Sequence, residues 1–194
     1  MDLLARRHWV FDMDGTLTRA AHDFDAIRAE LGLPDGPILE SLDRLPKDEA
    51  ARLHARLEDI EEGIARRTQA QPGAAALLAH LQDLGATLGI VTRNKRRLAH
   101  ITLEAAGLAR FFARDDVLGR DEAPHKPSPA GIQLLLRRWG AEGADAVMVG
   151  DYLFDLQAGR AAGTATVLFD VQGVFAWADH ADRCVRDLRQ LLDP

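Results

Sequence analysis

The sequence predicts an α/β fold, a parallel sheet covered on both faces by helices and carrying a small helical insert. Two observations predict the sheet and a third predicts the insert. Short apolar runs alternate with amphipathic stretches of helix length, the pattern of parallel strands joined by crossover helices. Chemistry-bearing side chains fall at the ends of those runs, where open parallel sheets bind their ligands. Residues 18–69 contain no strand-like run at all.

The elements follow in order. Residues 8–12, 87–92, 146–150 and 164–169 are short apolar runs and read as buried strands, with Cys184–Val185 as a further short one. Pro72 opens a helix with Leu77, Leu78, Leu81 and Leu84 on one face and Gly85 past its end. A second helix over 95–106 closes at Gly107. Pro129 opens a third, with Ile132, Leu135, Leu136 and Trp139 at helical spacing and Gly140 after it. A short fourth covers 154–162 and ends near Gly163. In the insert, Asp23 can cap a helix bearing Phe24, Ile27 and Leu31, and Gly32, Pro34 and Gly36 then interrupt it. A short "PILESLDRL" element precedes Pro46, and 48–66 form a long helix with Leu53, Leu57, Ile60 and Ile64 on one stripe. Inserted directly after the first strand end, this segment reads as a cap over the site: a core of 1–17 and 70–194, and a helical cap of 18–69.

The 194 residues suffice for one domain with an insert, and 47% hydrophobic residues give it a real core. A net charge of −6, from 24 basic and 30 acidic residues, gives no overall basic bias toward nucleic acid. No apolar run approaches a membrane span, and Arg6, Arg7 and His8 break up any signal-like stretch at the N-terminus. The lone Cys184 excludes an internal disulfide and reads as a buried structural thiol, in keeping with a cytoplasmic location.

The first strand ends in "VFDMDGTLT", which places Asp12 and Asp14 one residue apart. Thr92 ends the second run, Lys126 sits in the loop "HKPSP", and "VMVGDYLFD" puts Asp151 after a third run with Asp155 four residues on. Taken singly, each has a turn or capping explanation. Together they would gather four carboxylates, a hydroxyl and an ammonium at one sheet edge, a costly concentration that a divalent cation and a phosphate would relieve. An ionised Asp is a nucleophile that needs no base. Its obstacle is a phosphate of like charge, a repulsion of about 4 kcal/mol for unit charges roughly 4 Å apart at an effective dielectric near 20. Mg²⁺ and Lys126 can offset it, Thr92 can hydrogen-bond a phosphoryl oxygen, and Asp14 can protonate the leaving oxygen and later take a proton from water.

Four motifs in order, "DMDGT" at 12–16, "VTRN" at 91–94, "KP" at 126–127 and "GDYLFD" at 150–155, resemble those of the haloacid dehalogenase (HAD) superfamily of phosphohydrolases. The insert is similar to the helical cap of phosphoglycolate phosphatase relatives, though shorter. The resemblance implies a Rossmann-like three-layer core. It implies Asp12 as nucleophile and Mg²⁺ ligand, Asp14 as general acid/base giving its carbonyl to the metal, and Asp151 as a further ligand. Asp155 would support the metal shell or orient Lys126. Thr92 and Lys126 would hold the phosphoryl group, with Met13, Gly15, Arg93 and Asn94 as further phosphate or substrate contacts. Thr16 would brace Asp14 or its loop.

The expected activity is a Mg²⁺-dependent phosphatase acting on a small phosphorylated metabolite through an aspartyl-phosphate, as a monomer or weak dimer without nucleic-acid or membrane partners. A phosphomutase on the same fold shares the four motifs. A receiver-like phosphate-binding protein would draw its acidic pair and acceptor Asp from different strands and would lack a carboxylate motif after the Lys. A dehalogenase would need no acid at position 14. His22 and Asp23 stand at the cap entrance, where a hinge or helix cap is the simpler role. His125 reads as a loop residue. The basic cap residues Arg28, Arg52, Arg56, Arg66 and Arg67 read as a solvated face from which one could select an anionic substrate.

Overall fold

The computed structural model describes residues 2–20 and 23–192. His22 lies outside them. Six parallel strands form one sheet in the order β3-β2-β1-β4-β5-β6: β1 His8–Phe11, β2 Thr87–Val91, β3 Val117–Leu118, β4 Ala146–Gly150, β5 Ala165–Phe169 and β6 Arg183–Val185. The central strands are buried on both faces, as the near-continuous apolar runs require. Helices α4 (Ala74–Asp83), α5 (Arg96–Ala105), α6 (Ala130–Trp139) and α7 (Leu153–Ala161) follow β1, β2, β3 and β4 in the chain. One apolar cluster unites Trp9, Phe11, Leu77, Leu81, Ile90 and Val149, and a second unites Val10, Val91, Ile132, Leu135 and Met148. The alternation along β1 explains the division, because successive side chains point to opposite faces.

Three features differ from the sequence reading. The short edge strand β3 escapes any periodicity argument, since two residues show none. Leu84 lies one residue past the end of α4 and is exposed, and Phe24 at the start of its helix is exposed too. Cys184 is only partly covered on the last strand.

The insert holds α1 (Phe24–Leu31), α2 (Ile38–Leu42) and α3 (Lys47–Ala65). Asp23 caps α1 by accepting from the Ala26 N–H at 3.0 Å. Ile27, Leu31, Leu42 and Leu57 form an apolar cluster of their own, ringed by Leu33, Ile38, Leu53, Ile60 and Ile64. The two chain crossings into the insert lie side by side: Arg19 N–H donates to Gln69 O at 3.0 Å, and Gln71 N–H donates to Leu17 O at 2.9 Å.

Candidate active site

The carboxyl ends of β1, β2 and β4 lie side by side, and Asp12, Lys126, Asp151 and Asp155 meet there. Asp12 follows β1 and stays tied to the sheet through its N–H, which donates to Val149 O at 2.9 Å. Thr92 follows β2, with its N–H donating to Leu118 O at 3.0 Å. Asp151 follows β4 directly. Carboxylate oxygens of Asp12, Asp151 and Asp155 lie within 4.8 Å of one another. Lys126, 1% exposed, places its Nζ 2.5 Å from Asp12 Oδ1 and 2.6 Å from Asp155 Oδ1.

The loop after β1 turns back on itself. Thr18 N–H and Oγ1 both donate to Met13 O, at 2.9 and 3.1 Å, and Gly15 N–H donates to Thr18 O at 3.0 Å. Gly15 therefore spends its N–H inside the loop. What it contributes is space: its φ is +91°, and a Cβ there would stand 2.3 Å from Asp151 Oδ2. Thr16 Oγ1 donates to Asp151 Oδ1 at 3.1 Å, so Thr16 braces the aspartate of another strand rather than Asp14. Asp155 is held twice, by Lys126 on Oδ1 and by the Tyr152 N–H, which donates to Oδ2 at 3.0 Å.

Burial pushes Asp12 up to about 7 against the pull of Lys126, with Asp155 and Asp14 adding to the rise. Asp14 is likewise raised to about 7, first by burial and then by the negative charge of Glu61, while Lys126 and Asn94 oppose the rise. Asp151 is raised by burial and by Asp12 and Asp155. For Lys126, burial works against the charge, but Asp12 and Asp155 outweigh it and hold the ammonium charged above its ordinary range. Three clustered carboxylates thus have one ammonium among them, paired with only two, a donor set that suits a hard divalent cation.

Asn94 is buried, and its Oδ1 accepts from the Lys95 N–H at 2.8 Å. Arg93 turns toward the insert, where both Glu40 oxygens lie 2.6 Å from its Nη2, and its guanidinium lies 5.0 Å from the centre of the Phe154 ring. His125 Nε2 stands 3.7 Å from Glu40 Oε1. Glu61 of α3 meets Arg120, and Glu58 and Glu62 meet Lys95 and Arg97. The insert thus faces the sheet with acids. Of its own arginines, Arg28, Arg56 and Arg66 pair with Asp25, Glu30 and Glu62. Sequence reading missed Glu40, Glu61 and Arg120. A signal existed in the spacing of Glu58, Glu61 and Glu62, which stacks three like charges on one helix face and calls for a cationic partner.

A family model described as haloacid dehalogenase-like hydrolase matches residues 9–169. An uncharacterized hydrolase of Saccharomyces cerevisiae is 31% identical over 195 residues, covering 95% of this chain and 88% of its own. A phosphoglycolate phosphatase of Pseudomonas syringae pv. syringae is 30% identical over 185 residues, covering 81% of this chain and 67% of its own. The crystal structure of a hydrolase from Pseudomonas syringae superposes with a TM-score of 0.79 at 25% identity, covering 96% of both chains.

Proposed function

This chain belongs to the haloacid dehalogenase-like hydrolases, and from that premise we propose that it is a Mg²⁺-dependent phosphatase of small phosphorylated metabolites. The observation that carries the reading is Asp12 held by Lys126 inside a cluster of three carboxylates at the carboxyl edge of the sheet. The similarity to a phosphoglycolate phosphatase supports the same reaction class. Residues 1–17 and 70–194 form the catalytic core in this reading, and 18–69 form the cap.

Asp12 attacks the phosphorus of a phosphate ester, forming an aspartyl-phosphate as the ester P–O bond breaks. Asp14, raised to about 7 by burial and Glu61 and so partly protonated at neutral pH, gives its proton to the departing oxygen. Water then attacks the phosphorus and loses a proton to Asp14, and phosphate leaves with Asp12 restored. Lys126 and Thr92 hold the phosphoryl oxygens, with Met13 and Asn94 beside them. Asp155 positions Lys126, since both of its oxygens are already engaged.

Asp12 and Asp151 would hold Mg²⁺ with the carbonyl of Asp14, and Asp155 stands close enough to join them through water. The donor set fits, because its carboxylates lie close together and are short of positive charge. When bound, the ion supplies charge that keeps the carboxylates ionised and offsets that of the phosphate. Thr16 and Gly15 serve this set indirectly, one by bracing Asp151 and the other by leaving room for it.

Phosphate release from a panel of phosphorylated metabolites tests the proposal. Asp12→Asn should lower turnover at least about 10³-fold while the protein still folds, and EDTA should stop release until Mg²⁺ is restored. Near wild-type turnover by Asp12→Asn would overturn the nucleophile, and turnover that survives thorough metal removal would overturn the metal.

A further inference from the structure

The insert residue Glu40 stands where the part of the substrate beyond the phosphate would lie. Arg93 and His125, which face it, are each one residue from a phosphoryl-holding side chain, Thr92 and Lys126. The Phe154 ring under Arg93 belongs to the segment between Asp151 and Asp155. In an in-line displacement the leaving oxygen lies opposite the nucleophile. Asp12 approaches from the sheet edge, so the leaving group must point toward the insert and meet these residues.

Their charges decide what fits. Glu40 sets both oxygens 2.6 Å from Arg93 Nη2, so the cation that would attract an acidic leaving group is already neutralised. His125 Nε2 is buried and has no hydrogen-bond partner among the described residues, since 3.7 Å to Glu40 is too long for one. A leaving group here meets a carboxylate that accepts, a guanidinium that donates, and an unpaired ring nitrogen. Hydroxyl groups satisfy all three, because each both donates and accepts. A carboxylate would face Glu40 as a like charge and would have to displace it from Arg93.

We propose that Glu40 is a specificity residue that selects phosphate esters of uncharged, hydroxyl-bearing leaving groups, polyols or sugars, and rejects those whose leaving group carries a carboxylate. The proposal rests on the phosphatase reading above. It sets this chain apart in preference from the relative named phosphoglycolate phosphatase, while leaving the reaction class the same.

Glycerol 3-phosphate and 2-phosphoglycolate form a size-matched pair, and the ratio of their kcat/KM values in one preparation is independent of the fraction of active enzyme. Wild type should favour glycerol 3-phosphate by about tenfold or more, as a site that rejects a like charge would. Glu40→Gln, which keeps the shape and frees Arg93, should move the ratio toward 2-phosphoglycolate by about tenfold or more. A wild-type preference for 2-phosphoglycolate would overturn the proposal without any variant. So would a Glu40→Gln ratio that matches wild type. If wild type releases no Asp12-dependent phosphate even from p-nitrophenyl phosphate, the phosphatase reading itself fails and this proposal with it. Hydrolysis of p-nitrophenyl phosphate with an unmoved ratio overturns the selectivity alone.

Discussion

Glu61 of α3 and Arg120 of the loop after β3 meet in a two-bond ion pair, at 3.0 and 3.1 Å, with side chains only 10% and 8% exposed. Arg120 also donates to Arg93 O at 3.3 Å, so the pair pins the insert to the loop that carries Thr92. Arg120→Met leaves Glu61 charged and alone. A rigidly buried orphan would cost about 3–5 kcal/mol. Glu61 keeps 10% of its side chain exposed at the seam, so water can reach it and equilibrium denaturation should show a smaller loss, about 1–3 kcal/mol. Adding Glu61→Leu should recover much of it, because an apolar pair leaves no charge unsatisfied. Single and double variants of equal stability would mean that water already separates the pair in solution.

Thr16→Val removes the hydroxyl that fixes Asp151 and keeps the side-chain shape. Loss of such an orienting bond commonly weakens metal binding about 10- to 100-fold. Titration calorimetry with Mg²⁺ should show a drop of that order. Gly15→Ala should be more severe, because its Cβ would stand 2.3 Å from Asp151 Oδ2 on a backbone with φ of +91°. Unchanged affinity in both variants would remove Asp151 from the metal set.

Lys126→Met should stop turnover, yet strengthen the response to metal. Lys126 is the ammonium that Asp12 and Asp155 share, and it competes with any cation placed among them. Without it, the metal-free protein should melt lower than wild type, and added Mg²⁺ should raise its Tm by more than it raises that of wild type. A smaller shift than wild type would show that Lys126 helps build the cation site instead of competing with it.

Stability of the metal-free protein carries a pH signature. Burial first, and then Glu61, raise Asp14 from its ordinary 3.8 to about 7. Between those values the folded state holds a proton that the unfolded chain has released. Asp14 therefore costs stability progressively as pH rises through that window. Partly buried His8, His54, His100 and His125 are shifted downward, first by burial, and act in the opposite sense on acidification. Comparing wild type with Asp14→Asn in EDTA cancels the histidines. The Tm advantage of Asp14→Asn should grow from pH 5 to pH 8, on the scale that a shift from 3.8 to about 7 implies. A flat difference would contradict the raised carboxyl.

The common edge of Asp12, Thr92 and Asp151 was legible in the sequence because strand ends announce themselves through a break in apolar runs, and parallel strand ends share an edge. Lys126 lies in a Pro-rich loop after a strand the sequence did not show, and stood out only through the order of the four motifs. The helices were legible through their spacing and their glycine stops, as at Gly107 and Gly140. β3 was not, being two residues long. Glu40 was not either, because it finds Arg93 53 residues along the chain and a lone glutamate on a short helix looks the same whether it faces water or another element. For Glu61 the clustered acids of α3 hinted at a cationic partner, but not that it would be Arg120, 59 residues on. Thr16 was seen as a brace, but its partner lay 135 residues away, just past the end of another strand.

The insert keeps its apolar cluster to itself and meets the sheet through a belt of acids set against Arg93, Lys95, Arg97 and Arg120. Such a seam makes the two parts exchangeable. A foreign helical segment could be grafted between the paired crossings at Leu17 and Gln71 without repacking the leucines under the sheet, provided it brought acids to those four bases. New selectivity in this architecture can thus be acquired by recombination, with the hydrolytic machinery carried along unaltered.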